Sequence, residues 1–334
     1  MIDKTLSILF LARYAPNANG TKPKCDNLNR VYGDYHNKVY EILSQHFEKV
    51  MPSNDPEIML HLPHEINYIF SLYNRMPFNN SEVFVSSVAE YHGVNYLGAT
   101  PNIRALAEDK YLTKMLANYV GVPTPNGTVY FKNEATINPP RFSPPYFVKP
   151  RFGAASLYID EKSICDTWLQ AQNKIGEIFK AGLDVLVEEF VDGIYYTSPV
   201  LRNFSKPLFL PCVKEVSNLQ GNVVTHKQKR KVQGGLERSI AQDRELNREI
   251  TKYSKMLFDV IQPLDYTRFD YIIERETSII KLLEFNVCCN LGMNSTVAMS
   301  ANSVGISYEQ LLLNIIYSSL NRSNLSSERL KYQF

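Results

Sequence analysis

Near the C-terminus, the run LLEFNVCCNLGMNS (residues 282–295) interleaves Glu284 and Asn286 with Leu283, Phe285 and Val287. Upstream, RFDYII sets Arg268 and Asp270 in the same alternation with Phe269 and Tyr271. The two runs flank the polar turn candidate RETS, a pattern that predicts a β-hairpin. A turn centred near Thr277 places Asp270 opposite Glu284 and Arg268 opposite Asn286, with all four on one face. Side chains alternate along a strand, so Phe269, Tyr271, Leu283, Phe285 and Val287 are expected on the other face, in a core. Two carboxylates and an amide oxygen within about 5–8 Å of each other need a positive charge between them. Hard oxygen donors suit magnesium, which takes one or two carboxylates together with phosphate oxygens and water. The plain alternative is a solvated hairpin face in which Arg268 pairs with Asp270 or Glu284; a one-residue slip of register would dissolve the cluster.

Two earlier stretches carry compatible chemistry. In YFVKPRFGAAS, Lys149 ends an apolar strand and is followed by Gly153, Ala154, Ala155 and Ser156. Small residues let backbone N–H groups approach phosphate oxygens while the ammonium supplies a compact charge. Neither GxxxxGK[ST] nor GxGxxG is present, and Lys149 taken alone reads as a strand-end lysine reaching to solvent. In VLVEEFVDG, Glu188 and Glu189 end a Val/Leu strand. Such an end can meet a purine edge with backbone groups and take its amino group or the ribose hydroxyls with the acids, or it is simply an exposed acidic strand end.

The elements that must hold these residues follow from texture. Up to about Ala99, apolar strands (TLSILFLA, INYIFSLY, NYLG) alternate with helices (HNKVYEILSQHF, SEVFVSSVAEYHGV), the pattern of a parallel sheet wrapped by helices. DKYLTKMLANYVGVPTP reads as a helix ended by Gly121 and Pro123. FSPPYFVKPRFGAASLYI reads as strand, turn, strand, VLVEEFVDGIYYTSPVL as a further strand pair, and LFLPCVKEV as more strand. AQDRELNREITKYSKMLFDVI is an amphipathic helix. A chain of 334 residues exceeds one ordinary core. The balance of 36 Lys+Arg against 34 Asp+Glu gives no overall field for nucleic acid or an anionic membrane. No stretch approaches 18 consecutive apolar residues, so no membrane span is expected and the chain is placed in the cytoplasm. Five scattered cysteines without CxxC support neither a disulfide framework nor a zinc site, and HLPH, with His61 and His64, reads as a surface loop.

Taken in order, DKYLTKMLANYVGVPTP, YFVKP, VLVEEFVDG, RFD and LLEFNV resemble the ATP-grasp fold, in particular the D-alanine–D-alanine ligases. The resemblance covers nearly the whole chain. It implies an α/β (α+β) protein of three subdomains, a Rossmann-like N-terminal unit (1–105), a central unit (106–193) and a C-terminal unit (194–334), with ATP held between the last two. It further implies that Lys110 and Lys149, with the Ala154–Ala155 loop, contact ATP phosphates, and that Glu188, Glu189 and Val191 line the adenine slot. Asp270, Glu284 and Asn286 would hold two Mg²⁺ ions, and Arg268 would stabilise the oxyanion of a tetrahedral intermediate. Ser295 would bind the carboxylate of the incoming amino acid, and Lys229, in the basic stretch Lys227, Lys229, Arg230, Lys231, would reach the γ-phosphate from a lid. The implied reaction phosphorylates a carboxylate or enol oxygen of a small acceptor and condenses it with an amine, releasing ADP and phosphate; a homodimer is what the family suggests.

Departures from the family pattern gather at the first-substrate side. ARYAPNANGTK replaces a glycine-rich loop with an acid, LYNRMPFNNSE replaces HGxxGEDG, and Ala154 and Ala155 replace a serine pair. VCCNLG replaces TLPGMT, and Tyr195 stands where the ribose-binding acid is expected. These differences suggest an acceptor other than D-alanine, with Arg75 and Glu82 near it. The ligase that adds an amino acid to mycosporine-glycine is the member closest in character, with a dipeptide ligase of the D-alanine–D-alanine type as the alternative. Cys288 and Cys289 read as pocket wall, since no general base is arranged for them. A non-catalytic ATP-binding module and a nucleic-acid-binding protein are the rivals. The full set of metal-ligand candidates with Arg268 argues against the first, and the absence of an interleaved aromatic platform against the second.

Overall fold

The computed structural model describes residues 6–16, 21, 30–73, 81–153, 158–203, 206–217 and 236–331. Three sheets follow one another along the chain. The first orders β2 (Lys49–Ser53), β1 (Ser7–Leu11), β3 (Tyr68–Ser71) and β4 (Asn95–Tyr96), all parallel. The strand SILFL is buried throughout because both sheet faces are covered. Ile8 and Phe10 pack with α1 (Arg30–His46) and the C-terminal helices α7 (Thr296–Ser303) and α8 (Tyr308–Lys331), while Leu9 and Leu11 pack with α2 (Ser81–His92). The C-terminal helices thus complete the core of the N-terminal sheet.

The second sheet orders β5 (Gly127–Tyr130), β8 (Val185–Glu189), β6 (Tyr146–Pro150) and β7 (Ile164–Cys165), antiparallel, with α5 (Trp168–Lys180) against it. The third orders β12 (Leu236–Ile240), β11 (Val213–Ser217), β9 (Gly193–Asn203), β13 (Tyr266–Glu274) and β14 (Ile280–Asn286), with β10 (Lys206–Phe209) also on β9. One face of this third sheet buries α3 (Pro101–Glu108), α4 (Lys110–Tyr119) and α6 (Arg244–Phe258), joining Ile103, Ala117, Ile250 and Leu257 to Phe269, Tyr271 and Phe285.

Three expectations change. VLVEEFVDGIYYTSPVL does form two strands, but β8 and β9 belong to different sheets, with Gly193 at the crossing. A Cβ there would collide with the Ile273 carbonyl, so the chain can pass only with glycine. No strand follows the small-residue loop at Tyr158–Ile159; the chain instead takes a short 3₁₀ turn, Glu161–Ser163, into β7. The hairpin β13–β14 holds the expected pairs Arg268–Asn286 and Asp270–Glu284, then shifts by one so that Tyr271 faces Leu282. Leu283 is the extra residue of this bulge. The shift sends Leu282 rather than Leu283 into the core beside Ile280 and Phe285.

Candidate active site

The hairpin base puts its four polar residues together as the spacing predicts. Arg268 donates from Nε to Asp270 Oδ1 at 2.7 Å and from an Nη to Asp270 Oδ2 at 2.6 Å. Asn286 Nδ2 donates to Asp270 Oδ2 at 3.0 Å. Burial pushes the Asp270 carboxyl upward, Arg268 opposes it, and the neighbouring Glu284 and Glu215 add to the rise. The guanidinium of Arg268 is held charged by Asp270 against its own burial. Among the described residues no group of three His, Cys, Asp or Glu side chains forms a metal site; here the third donor is an amide. Two carboxylates and one amide oxygen are a hard donor set, suited to magnesium completed by phosphate oxygens and water. The Arg268–Asp270 ion pair is present, and it coexists with the cluster rather than replacing it.

Facing this hairpin is the N-terminus of α4. Asp109 caps the helix by accepting from Tyr111 N at 3.0 Å and Leu112 N at 3.2 Å, and it pairs with Arg151 at the end of β6. This ties the helix start to the beginning of the small-residue loop. The Lys110 ammonium donates to the Gly153 carbonyl, and Gly153 itself adopts φ +100°, a conformation that favours glycine. Lys110 is buried and its pKa is lowered, chiefly by burial and against the attraction of Glu284. The phosphate-binding candidate therefore faces the metal-binding candidate. Ala154 and Ala155 lie outside the described residues, as do Lys229, the rest of the basic stretch, Arg75 and the side chain of Glu82.

Lys149 and Glu188 are neither solvent-reaching nor exposed. Glu188, 2% exposed, pairs with Lys149 Nζ at 2.6 Å through one oxygen and with Lys114 Nζ at 2.7 Å through the other. Burial alone would raise the Glu188 carboxyl, but the two ammoniums bring it below its ordinary value. Lys114 also donates to Thr124 Oγ1 at 3.0 Å and to the Pro125 carbonyl at 2.8 Å, and burial brings its pKa down to about 8. The sequence reading missed Lys114. The signal was there, because Lys114 lies four residues after Lys110 and so shares its helix face. Glu189 bridges two sheets, accepting from Lys281 Nζ of β14 at 2.9 Å and from Asn126 Nδ2 at 2.8 Å. Val191 is buried, and Tyr195 is half-buried on β9 with its hydroxyl pKa raised by burial, Asp192 and Glu188.

Ser295 caps α7, its Oγ accepting from Ala298 N at 3.1 Å, which leaves its own hydroxyl proton to donate. Cys288 accepts from an Nη of Arg104 at 2.6 Å and Cys289 is buried; among the described residues no cysteine forms a disulfide. Arg104 and Arg322 also knit the chain between the site and the N-terminal sheet. Arg322 Nε donates to the buried Asp265 at 2.9 Å and an Nη to the Tyr96 carbonyl at 2.6 Å, while Gly98 N donates to Asp265 at 2.7 Å. The described residues include no helix long and apolar enough to cross a membrane.

The model of the family described as D-ala D-ala ligase C-terminus matches residues 117–317. A D-alanine–D-alanine ligase of Glaesserella parasuis is 28% identical over 230 residues, covering 68% of this chain and 73% of that protein. One from Maridesulfovibrio salexigens is 25% identical over 275 residues, covering 82% and 87% respectively. The crystal structure of D-alanine–D-alanine ligase from Bacillus anthracis complexed with ATP is similar in fold, with a TM-score of 0.75 at 17% identity over 96% of this chain and 99% of that one.

Proposed function

For a chain that belongs to the D-ala D-ala ligase C-terminus family, and is thereby an ATP-dependent carbon–nitrogen ligase of the ATP-grasp type, we propose dipeptide formation from two amino acids. The carboxylate of the first is phosphorylated by ATP, the amine of the second attacks the acyl carbon, and phosphate departs. Mycosporine-glycine, expected from overall character, finds no support among the relatives, which are D-alanine–D-alanine ligases. The dipeptide reaction takes its place.

The observation that carries this reading is the approach of Lys110, on α4, to Glu284 in a hairpin face that also presents Arg268, Asp270 and Asn286. In this reading Lys110 and Lys149 neutralise the triphosphate, with Lys229 and the Ala154–Ala155 loop supplying further contacts. Glu188, Glu189 and Val191 border the base, and Tyr195 stands at the ribose. Asp270, Glu284 and Asn286 hold up to two Mg²⁺ ions, which when bound neutralise charge on the phosphoryl oxygens. Arg268, held by Asp270, keeps a fixed guanidinium for the oxygen that turns negative on attack, a fixed donor of the kind whose removal costs roughly 10²–10³ in kcat. Ser295 meets the carboxylate of the attacking amino acid. The domain division at about 105 and 193, a homodimer and a cytoplasmic setting belong to the same reading.

The test is phosphate release from ATP and Mg²⁺ with D-alanine, L-alanine, glycine and L-serine, singly and in pairs, with mass spectrometry of the products. A dipeptide mass with wild type, and loss of most turnover in Arg268→Ala, is the expected result. Absence of amino-acid-stimulated phosphate release across the panel overturns the proposal.

A further inference from the structure

The polar face of the third sheet continues past the hairpin. Across the strands, Asp270 pairs with Thr197 of β9, Tyr195 pairs with Glu215 of β11, and Glu215 pairs with Arg238 of β12. Residues directly opposite one another share a face, so Arg238, Glu215 and Thr197 lie on the same side as Arg268 and Asp270. Helix α7 packs on β9, β11 and β12.

Arg238 donates from Nε to Glu215 Oε1 at 2.6 Å and from an Nη to the Asn294 carbonyl at 3.2 Å. The second bond fixes the guanidinium at the N-terminal end of α7, one residue before Ser295. A guanidinium carries five N–H donors, and these two bonds leave the rest of the fork uncommitted. Glu215 lies close enough for its charge to act on both Arg268 and Asp270. Two hydroxyls in this region, Thr197 Oγ1 on the sheet face and Thr296 Oγ1 in the first turn of α7, are buried and have no hydrogen-bond partner among the described residues. Buried polar atoms are normally satisfied, so two partnerless hydroxyls, one on this sheet face and one at the helix start that Arg238 reaches, point to a polar ligand in this region.

Resting on the ligase reading above, we propose that Arg238 and Glu215 are specificity-determining residues that dock the attacking amino acid as a zwitterion. Arg238, with the helix start, takes its carboxylate, and Glu215 faces its ammonium, which must release a proton to water before the freed lone pair attacks the acyl carbon. The geometry suits this role. The attacking nitrogen must come within about 3–3.5 Å of the acyl carbon held near Arg268. Its carboxylate, a short reach farther on, then falls toward α7. Ser295 contributes a neutral hydroxyl; Arg238 supplies the charge and a planar fork matched to a carboxylate.

The test compares alanine with alaninamide, which keeps the amine and loses the carboxylate, as attacking partner in phosphate release. Wild type should prefer alanine. Arg238→Gln should raise the KM for the amino acid about 10- to 100-fold, leave the KM for ATP unchanged, and erase the preference over alaninamide. Glu215→Gln should raise the same KM while keeping the preference. If Arg238→Gln does not fold, Arg238→Lys, which keeps charge but loses the fork, should show the same change in smaller measure. An active wild type whose preference survives in the folded Arg238 variant refutes this inference and leaves the ligase reading standing. A wild type that turns over no amino acid overturns both.

Discussion

Glu188 sits between two buried ammoniums, and replacing it with glutamine removes the only charge that offsets them within the triad Lys114–Glu188–Lys149. The wild-type triad carries one net positive charge; the variant carries two, a few ångströms apart and away from water. Breaking a buried pair by deleting one partner costs about 3–5 kcal/mol. The magnitude depends on pH in a definite direction. Folded Lys114 has a pKa of about 8 against an ordinary 10.5, so between those values the unfolded chain binds more protons and stability rises with pH. In Glu188→Gln the folded Lys114 gives up its proton at still lower pH, because Lys149 is no longer offset. By about pH 9 Lys114 is neutral in both folded proteins, and the deficit shrinks to the part owed to Lys149. Urea unfolding of wild type and variant at about pH 7 and about pH 9, at matched ionic strength, measures this. A deficit below about 1 kcal/mol at the lower pH, or one that widens at the higher, refutes the reasoning.

Asp265→Asn should lower unfolding free energy by about 3–5 kcal/mol, because Arg322 stays buried without its counter-charge. The double variant Asp265→Asn/Arg322→Met should be more stable than the single one, which a denaturant cycle would show. His36 accepts from Tyr14 N through Nδ1 at 3.1 Å, and burial lowers its pKa from 6.5 to about 4. The unfolded chain therefore binds more protons between those values, and as pH falls from 6.5 toward 4 this site should remove about 3 kcal/mol of stability. Stability measured against pH should be less steep there in His36→Gln.

The hairpin base was legible because RFDYII and LEFNV alternate cleanly and the polar turn fixes their register. The bulge was not, since Leu282 and Leu283 are chemically identical and either satisfies a core position. The burial of Lys149 and Glu188 was hidden for a different reason. A lysine or an acid at a strand end is ordinarily solvated, and only the meeting of β6, β8 and α4 supplies the counter-charges. The Glu215–Arg238 pair joins residues 23 apart in sequence, and Asp265–Arg322 residues 57 apart. Neither spacing carries a helical or strand period, so no local pattern announces them.

The extra residue Leu283 separates two jurisdictions within one hairpin. The β13 ladder to β9 runs from Tyr266 to Glu274 without interruption, so the facing of Arg268 and Asp270 is referenced to β9 and not to the tip around residues 275–279. Evolution is accordingly free to rewrite that tip, which meets the chain beside the far end of β9 where Arg275 bonds Asp192, while the polar base keeps its orientation from the rows of β9 opposite Arg268 and Asp270.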